Sequence, residues 1–234
     1  MSEIDEVARA TQELAKLGAK GLDTAEKAGT FFAKVFKEPI TEVSGMMTDK
    51  LRFIRWSRLV EMSEQVNEIL TQKGIDETRA VPPKIALPIF EEATLEDEPA
   101  LRDLWNRLLA NAMDPSFNDE VRYGFIDMIK GITGREVQIL SSFYNKLCQV
   151  DGLRPLSEVS NYSLTKEQVI QDLNLSTDDY AISVNNLMRM QLLAPAVLID
   201  NGVMIGPEPM TLYKGINQIT LTPLGVKFVE ACIK

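Results

Sequence analysis

The sequence predicts a mainly α-helical protein. It begins with a long N-terminal helix, continues as a helical bundle, and ends in a winged-helix-like α+β module. Three observations predict this. Apolar residues recur at helical spacing through most of the first 150 positions. Proline, glycine and Asp-Pro pairs cut that pattern into segments of helix length. Beyond residue 163 two capped helical stretches give way to short apolar runs around Asn201-Gly202, a hairpin turn signal.

Residues 4–37 read as one amphipathic helix through Ile4, Val7, Leu14, Leu17, Leu22, Ala25, Ala28, Phe32 and Phe36. Small residues (Gly18, Gly21 and Gly29 among them) let a second helix approach closely, while each glycine weakens an isolated helix by about 1 kcal/mol. Gly18, Gly21, Leu22, Ala25, Gly29, Phe32 and Phe36 are therefore the candidate assembly face. Lys20, Lys27 and Lys34 share another side, which with the phenylalanines suits an interfacial helix on lipid. Glu38-Pro39 stops the run.

A second helix spans about 46–72, with a stripe of Met47, Leu51, Ile54, Leu59, Met62, Val66 and Leu70. Its stretch "LRFIRWSRLV" stands out in an acidic chain. Lys50, Arg52, Arg55, Trp56 and Arg58 form a basic, aromatic ridge, the candidate partner or lipid surface. The arginines are also placed to be solvated or paired with Glu61, Glu64 and Glu68. Residues 83–93 form a short helix with Pro88 near its start. Glu96, Asp97, Glu98 and Pro99 suit the positive end of the next helix, whose stripe is Leu101, Leu104, Trp105, Leu108 and Ala112 and whose stop is Asp114-Pro115. Two further helices, 118–130 and 134–149, join at "GITG".

The polar stretch 151–163 reads as a linker, giving a lead helix (1–45), a helical domain (46–150) and the winged-helix-like domain (164–234). In the last, Thr165 with Gln168 is a capping box opening a helix to about Leu173, and Ser176 with Asp179 opens another to about Gln191. Ile182, Leu187 and Leu192 are expected to bury against the hairpin. A strand at Ile216–Leu221, a cap at Thr222 and Pro223 at the first helical position introduce the final helix.

Composition removes several chemistries. There is no histidine, hence neither the commonest metal ligand nor the commonest general base. Cys148 and Cys232 sit in apolar helical patterns and read as two buried free thiols. The adjacent carboxylates Glu91/Glu92 and Asp178/Asp179 diverge by about 100° on a helix. "LEDE" lacks the glycine turn and spacing of a calcium loop, and no P-loop, GxSxG or GxGxxG occurs. No catalytic residue, cofactor or metal site is assigned, and the expectation is a non-enzyme. No signal-peptide pattern and no membrane-spanning run point to the cytoplasm, peripheral to the inner membrane where the lead helix meets lipid. The net charge of −9 disfavours nucleic acid as partner. So does "TDDYAISVNNLMRMQ", whose leading acids would face phosphate, in a region of nine acids and six bases.

Three stretches together resemble a known family: the Gly-rich lead helix running into "LRFIRW", the central "VPPKIALPIFEEATLEDEPALRDLWNRLLANAMDP", and the terminal "LLAP…ITLTPLGVKFVEAC". The combination resembles the abortive-infection alpha family of bacterial proteins over roughly residues 20–233. That resemblance implies a role in defence against phage, by arresting or killing an infected cell or by detecting infection. It brings no catalytic residues. Among its matching positions Glu92, Leu95, Glu96, Asp97, Leu101, Trp105, Leu108, Leu109 and Ala110, the acids Glu92, Glu96 and Asp97 are a candidate partner surface. The leading expectation is a defence protein that works by protein contacts and self-assembly, its partner being itself, an operon-encoded protein or a phage protein. Membrane action through the lead helix is the second reading, and a winged-helix DNA regulator the third.

Overall fold

A computed structural model describes residues 30–31, 33–36, 49–151, 162–196, 198–200, 203–205 and 217–234. The lead helix therefore lies largely outside the described residues; positions 30–31 and 33–36 are helical. The remaining elements are mainly helices with a small antiparallel sheet, and the chain divides into two compact units. Residues up to Glu96 with Leu109–Glu120 form the first, and Asp97–Leu108 with Val121–Lys234 the second.

In the first unit, helix α1 (Asp49–Gln72) buries Leu59, Met62, Val66 and Leu70, the expected stripe over its described side chains. Gly74, at φ 70°, lets the chain turn out of the helix, and Ile75 N–H donates back to the Leu70 carbonyl at 2.9 Å. Helix α2 (Pro83–Ala93) starts with Pro83 in its first turn and buries Ala86, Ile89, Phe90 and Ala93. Pro88 stands in its interior rather than near its start. Lacking an N–H, it cannot make the helical i to i−4 bond, a cost that burial of the flanking apolar residues offsets. Phe90 meets Phe31 edge-on at 5.9 Å and Phe36 at 6.2 Å, while Val81 N–H donates to the Val35 carbonyl at 2.9 Å.

Helix α3 (Pro99–Met113) begins in the second unit and ends in the first. Its end is closed by Arg79, whose N–H donates to the Met113 carbonyl at 2.8 Å and whose Nε donates to the Ala112 carbonyl at 2.9 Å. A cation is favoured there by the negative end of the helix dipole. Asp114 then accepts from the Ser116 N–H and hydroxyl, both at 2.7 Å, which fixes the turn after the helix.

In the second unit, α4 (Tyr123–Lys130) starts five residues later than 118. Residues 118–122 are not helical, because Arg122 is an extended N-cap (φ −82°, ψ 137°) and the turn-forming Asn118-Asp119 precedes it. Then follow α5 (Gly134–Asp151), β1 (Leu164–Thr165), α6 (Lys166–Leu173), α7 (Thr177–Arg189), β2 (Leu193–Pro195), β3 (Leu198–Asp200), β4 (Val203–Ile205), β5 (Gln218–Leu221) and α8 (Pro223–Cys232). The three-stranded sheet has the order β1-β5-β2, all antiparallel, with Leu193 opposite Leu221 and Leu164 opposite Ile219. β3 and β4 pair separately with Asp200 opposite Val203, and Asn201-Gly202 between them lie outside the described residues.

The predicted caps form. Thr165 and Gln168 make the reciprocal capping box, and Ser176 accepts from the Asp179 N–H. Thr222 ties three elements at once: its hydroxyl donates to the Gln191 carbonyl at 2.5 Å and accepts from the Gly225 N–H at 2.9 Å. Gly225 is packed so closely that a Cβ there would collide with the Leu192 carbonyl oxygen. The core nearby holds Leu187, Leu192, Ile219, Leu221 and Phe228, the last edge-on to Phe125 at 5.7 Å.

Two expectations fail here. Ile182 is 70% exposed, whereas Leu187 and Leu192 are buried. The inward face of α7 runs Tyr180, Ser183, Val184, Leu187, and Ile182 points away from it. Cys232 is buried, which pushes its thiol up, but Cys148 is only half-buried on the side of α5. Gly225→Ala should lower unfolding stability by about 2–3 kcal/mol, because the carbonyl it meets is backbone and cannot swing aside. Thr222→Ala should cost about 1–2 kcal/mol, and urea titrations by circular dichroism check both.

Candidate functional site

The basic ridge begins on α1, at the N-terminal side of its buried stripe. The side chains of Lys50, Arg52, Arg55 and Trp56 lie outside the described residues. Arg58, the last of the ridge, is half-buried, and its Nη1 donates to Glu61 at 3.4 Å, one of the three expected acidic partners. Such a pair on one helix is worth a few tenths of a kcal/mol.

Of the candidate assembly face, Gly18, Gly21, Leu22, Ala25, Gly29 and Phe32 lie outside the described residues. Phe36 is half-buried and packs on Phe90. On the lysine side, Lys34 donates from Nζ to Asn67 at 2.5 Å. These two side chains are thus engaged with α2 and α1 of the same unit.

Of the candidate partner surface, Glu92 and Glu96 are half-buried and Asp97 is exposed; all three engage other groups of the chain. Leu95 between them is 58% exposed, while Leu101, Trp105, Leu108, Leu109 and Ala110 are core. The adjoining Glu98 accepts through its carbonyl from Leu101 N–H at 3.1 Å and Arg102 N–H at 3.0 Å, which opens α3. Its carboxylate fills the space that a side chain on Gly134 would need.

A dense polar constellation among the described residues was not singled out from the sequence. Glu136 is buried, and one of its oxygens accepts from Thr133 N–H at 2.6 Å and Thr133 hydroxyl at 3.0 Å, capping α5. The other accepts from Asn186 Nδ2 at 2.7 Å, and the same amide donates to the Gly131 carbonyl at 2.8 Å. Arg189 donates to Asn186 Oδ1 from Nη2 at 2.8 Å and from Nε at 3.2 Å. Arg135 pairs with Asp179, and Lys146 with Asp172. Thr133-x-x-Glu136 is a legible cap signature; Asn186, fifty residues on, carries no local sign of its partner. The network fastens the middle of α7 to the start of α5. It uses an asparagine and an aspartate that a DNA-reading helix would turn outward.

Tyr180 is pushed up to about 12 by burial, then by the nearby Glu167 charge. Burial, then Cys148 and Glu230, holds Tyr144 well above the usual phenol range. Among the described residues no three His, Cys, Asp or Glu are placed to hold a metal ion, and no helix is long and apolar enough to cross a membrane.

Asn186→Ala should destabilise the fold by about 2–3 kcal/mol, because it strips a donor from the buried Glu136 carboxylate, and denaturant midpoints measure it. Because folding raises Tyr180 above the ordinary phenol value of about 10, its stabilising share is intact below that pH and lost as pH climbs towards about 12. Urea midpoints across that window should fall in the wild type and fall less in Tyr180→Phe.

A model of one protein family, abortive infection alpha, matches residues 57–232, three quarters of the chain. The match starts after Trp56, and so takes in Arg58, the Glu92–Asp97 stretch and the Glu136–Asn186 network. No curated protein and no solved structure matches the chain.

Proposed function

We propose that this chain, which belongs to the abortive infection alpha family, defends a bacterium against phage by abortive infection. It acts through protein contacts and self-assembly, not by catalysis. The family match over residues 57–232 carries the defence reading. The use of polar side chains supports the non-catalytic part: Glu136, Asn186, Asp179 and Arg135 are engaged in holding helices together.

The order of elements supports a winged helix in the second unit. Two helices lie between β1 and β2, a hairpin lies between β2 and β5, and the strands assemble as β1-β5-β2. On this reading α5 is the module's first helix, α7 stands where a recognition helix would, and 151–163 is a connection within the module. Asn186 bound to Glu136, and acids leading α7, favour a protein-binding use over DNA. The partner is a second copy, an operon-encoded protein or a phage protein, met in the cytoplasm.

Bacteria expressing this chain alone should survive as a culture at a low phage dose and collapse at a high one. Plating and optical density over one infection cycle measure this, and equal lysis with and without the protein at every dose would sink the reading.

A further inference from the structure

Helix α7 has two opposite faces. Tyr180, Ser183, Val184 and Leu187 point into the core. Asp178, Ile182, Asn185 and Arg189, at offsets of four, seven and eleven residues, fall within about 60° of one another on the other side. Asp178 and Arg189 are exposed, Arg189 while donating along its own helix to Asn186 Oδ1 from Nη2 at 2.8 Å and Nε at 3.2 Å, Asn185 is half-buried, and Ile182 is 70% exposed, one of the few large apolar side chains so placed among the described residues. The stripe has an acid at one end, a base about 16 Å away at the other, and an apolar side chain and an amide between.

Such a stripe is complementary to itself. Two copies of α7 laid antiparallel about a two-fold axis midway between Ile182 and Asn185 bring Asp178 level with Arg189 of the second copy. By symmetry the reciprocal pair forms, and each Ile182 lies beside the other copy's Asn185. A surface that satisfies its own charges across a two-fold axis is the requirement for an isologous dimer. The chain's net charge of −9 opposes association at long range, so a contact between copies needs local pairing of this kind. Duplex DNA fits less well: Asp178 would face phosphate, and the neighbouring Asn186 amide is held by Glu136 and Gly131.

We infer that the outward face of α7, centred on Ile182 and flanked by Asp178 and Arg189, is a docking surface for the same face of a second copy of this chain. The inference rests on the self-assembly reading above and supplies its surface. One helix pair makes a small interface, so the contact is weak and concentration-dependent, with a dissociation constant on the order of micromolar.

Sedimentation velocity on the full chain tests it, across micromolar concentrations, with Asp178→Arg, Arg189→Asp, their equimolar mixture and Ile182→Asp. Circular dichroism melts confirm that each variant is folded. Each charge variant alone places like charges level in both pairs and should weaken association at least about tenfold. In the mixture, a copy carrying Asp178→Arg meets a copy carrying Arg189→Asp with both pairs attractive, and association should return to the wild-type level. Misfolding cannot produce that recovery. Ile182→Asp should abolish association, alone and mixed with either variant. A wild type that stays monomeric overturns the inference. A wild type that associates, with charge variants indistinguishable from it, overturns this face while leaving self-assembly intact. Low-salt binding of a labelled DNA duplex that Arg189→Asp abolishes, without any change in association, also overturns it. Association that follows the charge pattern in a chain giving no phage protection supports the contact and removes the defence reading.

Discussion

The Thr222 hydroxyl is where the second unit closes on itself. It accepts the Gly225 N–H that starts α8 and donates to the Gln191 carbonyl at the far end of α7. Gly225 allows α8 to press against the Leu192 carbonyl, and that carbonyl accepts the Thr222 N–H at 3.1 Å. Gln191 sits at φ 61°, a left-handed backbone that a non-glycine residue holds only when its surroundings fix it. Once this corner is set, Leu193 falls opposite Leu221 in the β2–β5 ladder, and Phe228 reaches Phe125. The terminal "LTPLG" is thus a device for joining strand, turn and helix, which accounts for its form without any ligand.

A second constraint is the carboxylate of Glu136. A charge buried without donors would be costly, and four hydrogen bonds' worth of backbone and side chain are organised around it and its amide partner. Specificity follows from that arrangement. The apolar face of α7 would tolerate sliding on its neighbours, but Asn186 fits Glu136 and Gly131 in one register only. The flanking pairs Arg135–Asp179 and Lys146–Asp172 are partly exposed, so they add orientation more than stability. With its polar inward side so engaged, α7 keeps Asp178 and Ile182 exposed on the opposite side.

The first unit shows the same division of labour. Phe31, Phe36 and Phe90 interlock at edge-to-face distances, and Arg79 seals the open carbonyls of α3. Its helices are held by aromatic packing and by a capped helix end. The described part of the basic ridge, Arg58, pairs with Glu61 on its own helix.

Local chemistry was legible from the sequence. Caps at Thr165, Ser176 and Thr222, the buried stripe of α1, the core positions Trp105 and Leu108, and the stop at Asp114 all follow from short-range rules. Such rules act within one helical turn, so the residues that obey them are neighbours in the chain. The start of α4, the interior place of Pro88 and the exposure of Ile182 were misjudged. In each, the deciding term is which face packs and against what. The sequence by itself determined a helical protein with a small sheet, the positions of its caps, and the resemblance to its family. Only the tertiary structure decided that Glu136 and Asn186 would meet, that Gly225 would need to be bare, and which side of α7 stays outside. Those contacts join residues thirty to fifty positions apart, and no periodicity within a segment encodes a partner that chain folding alone brings near.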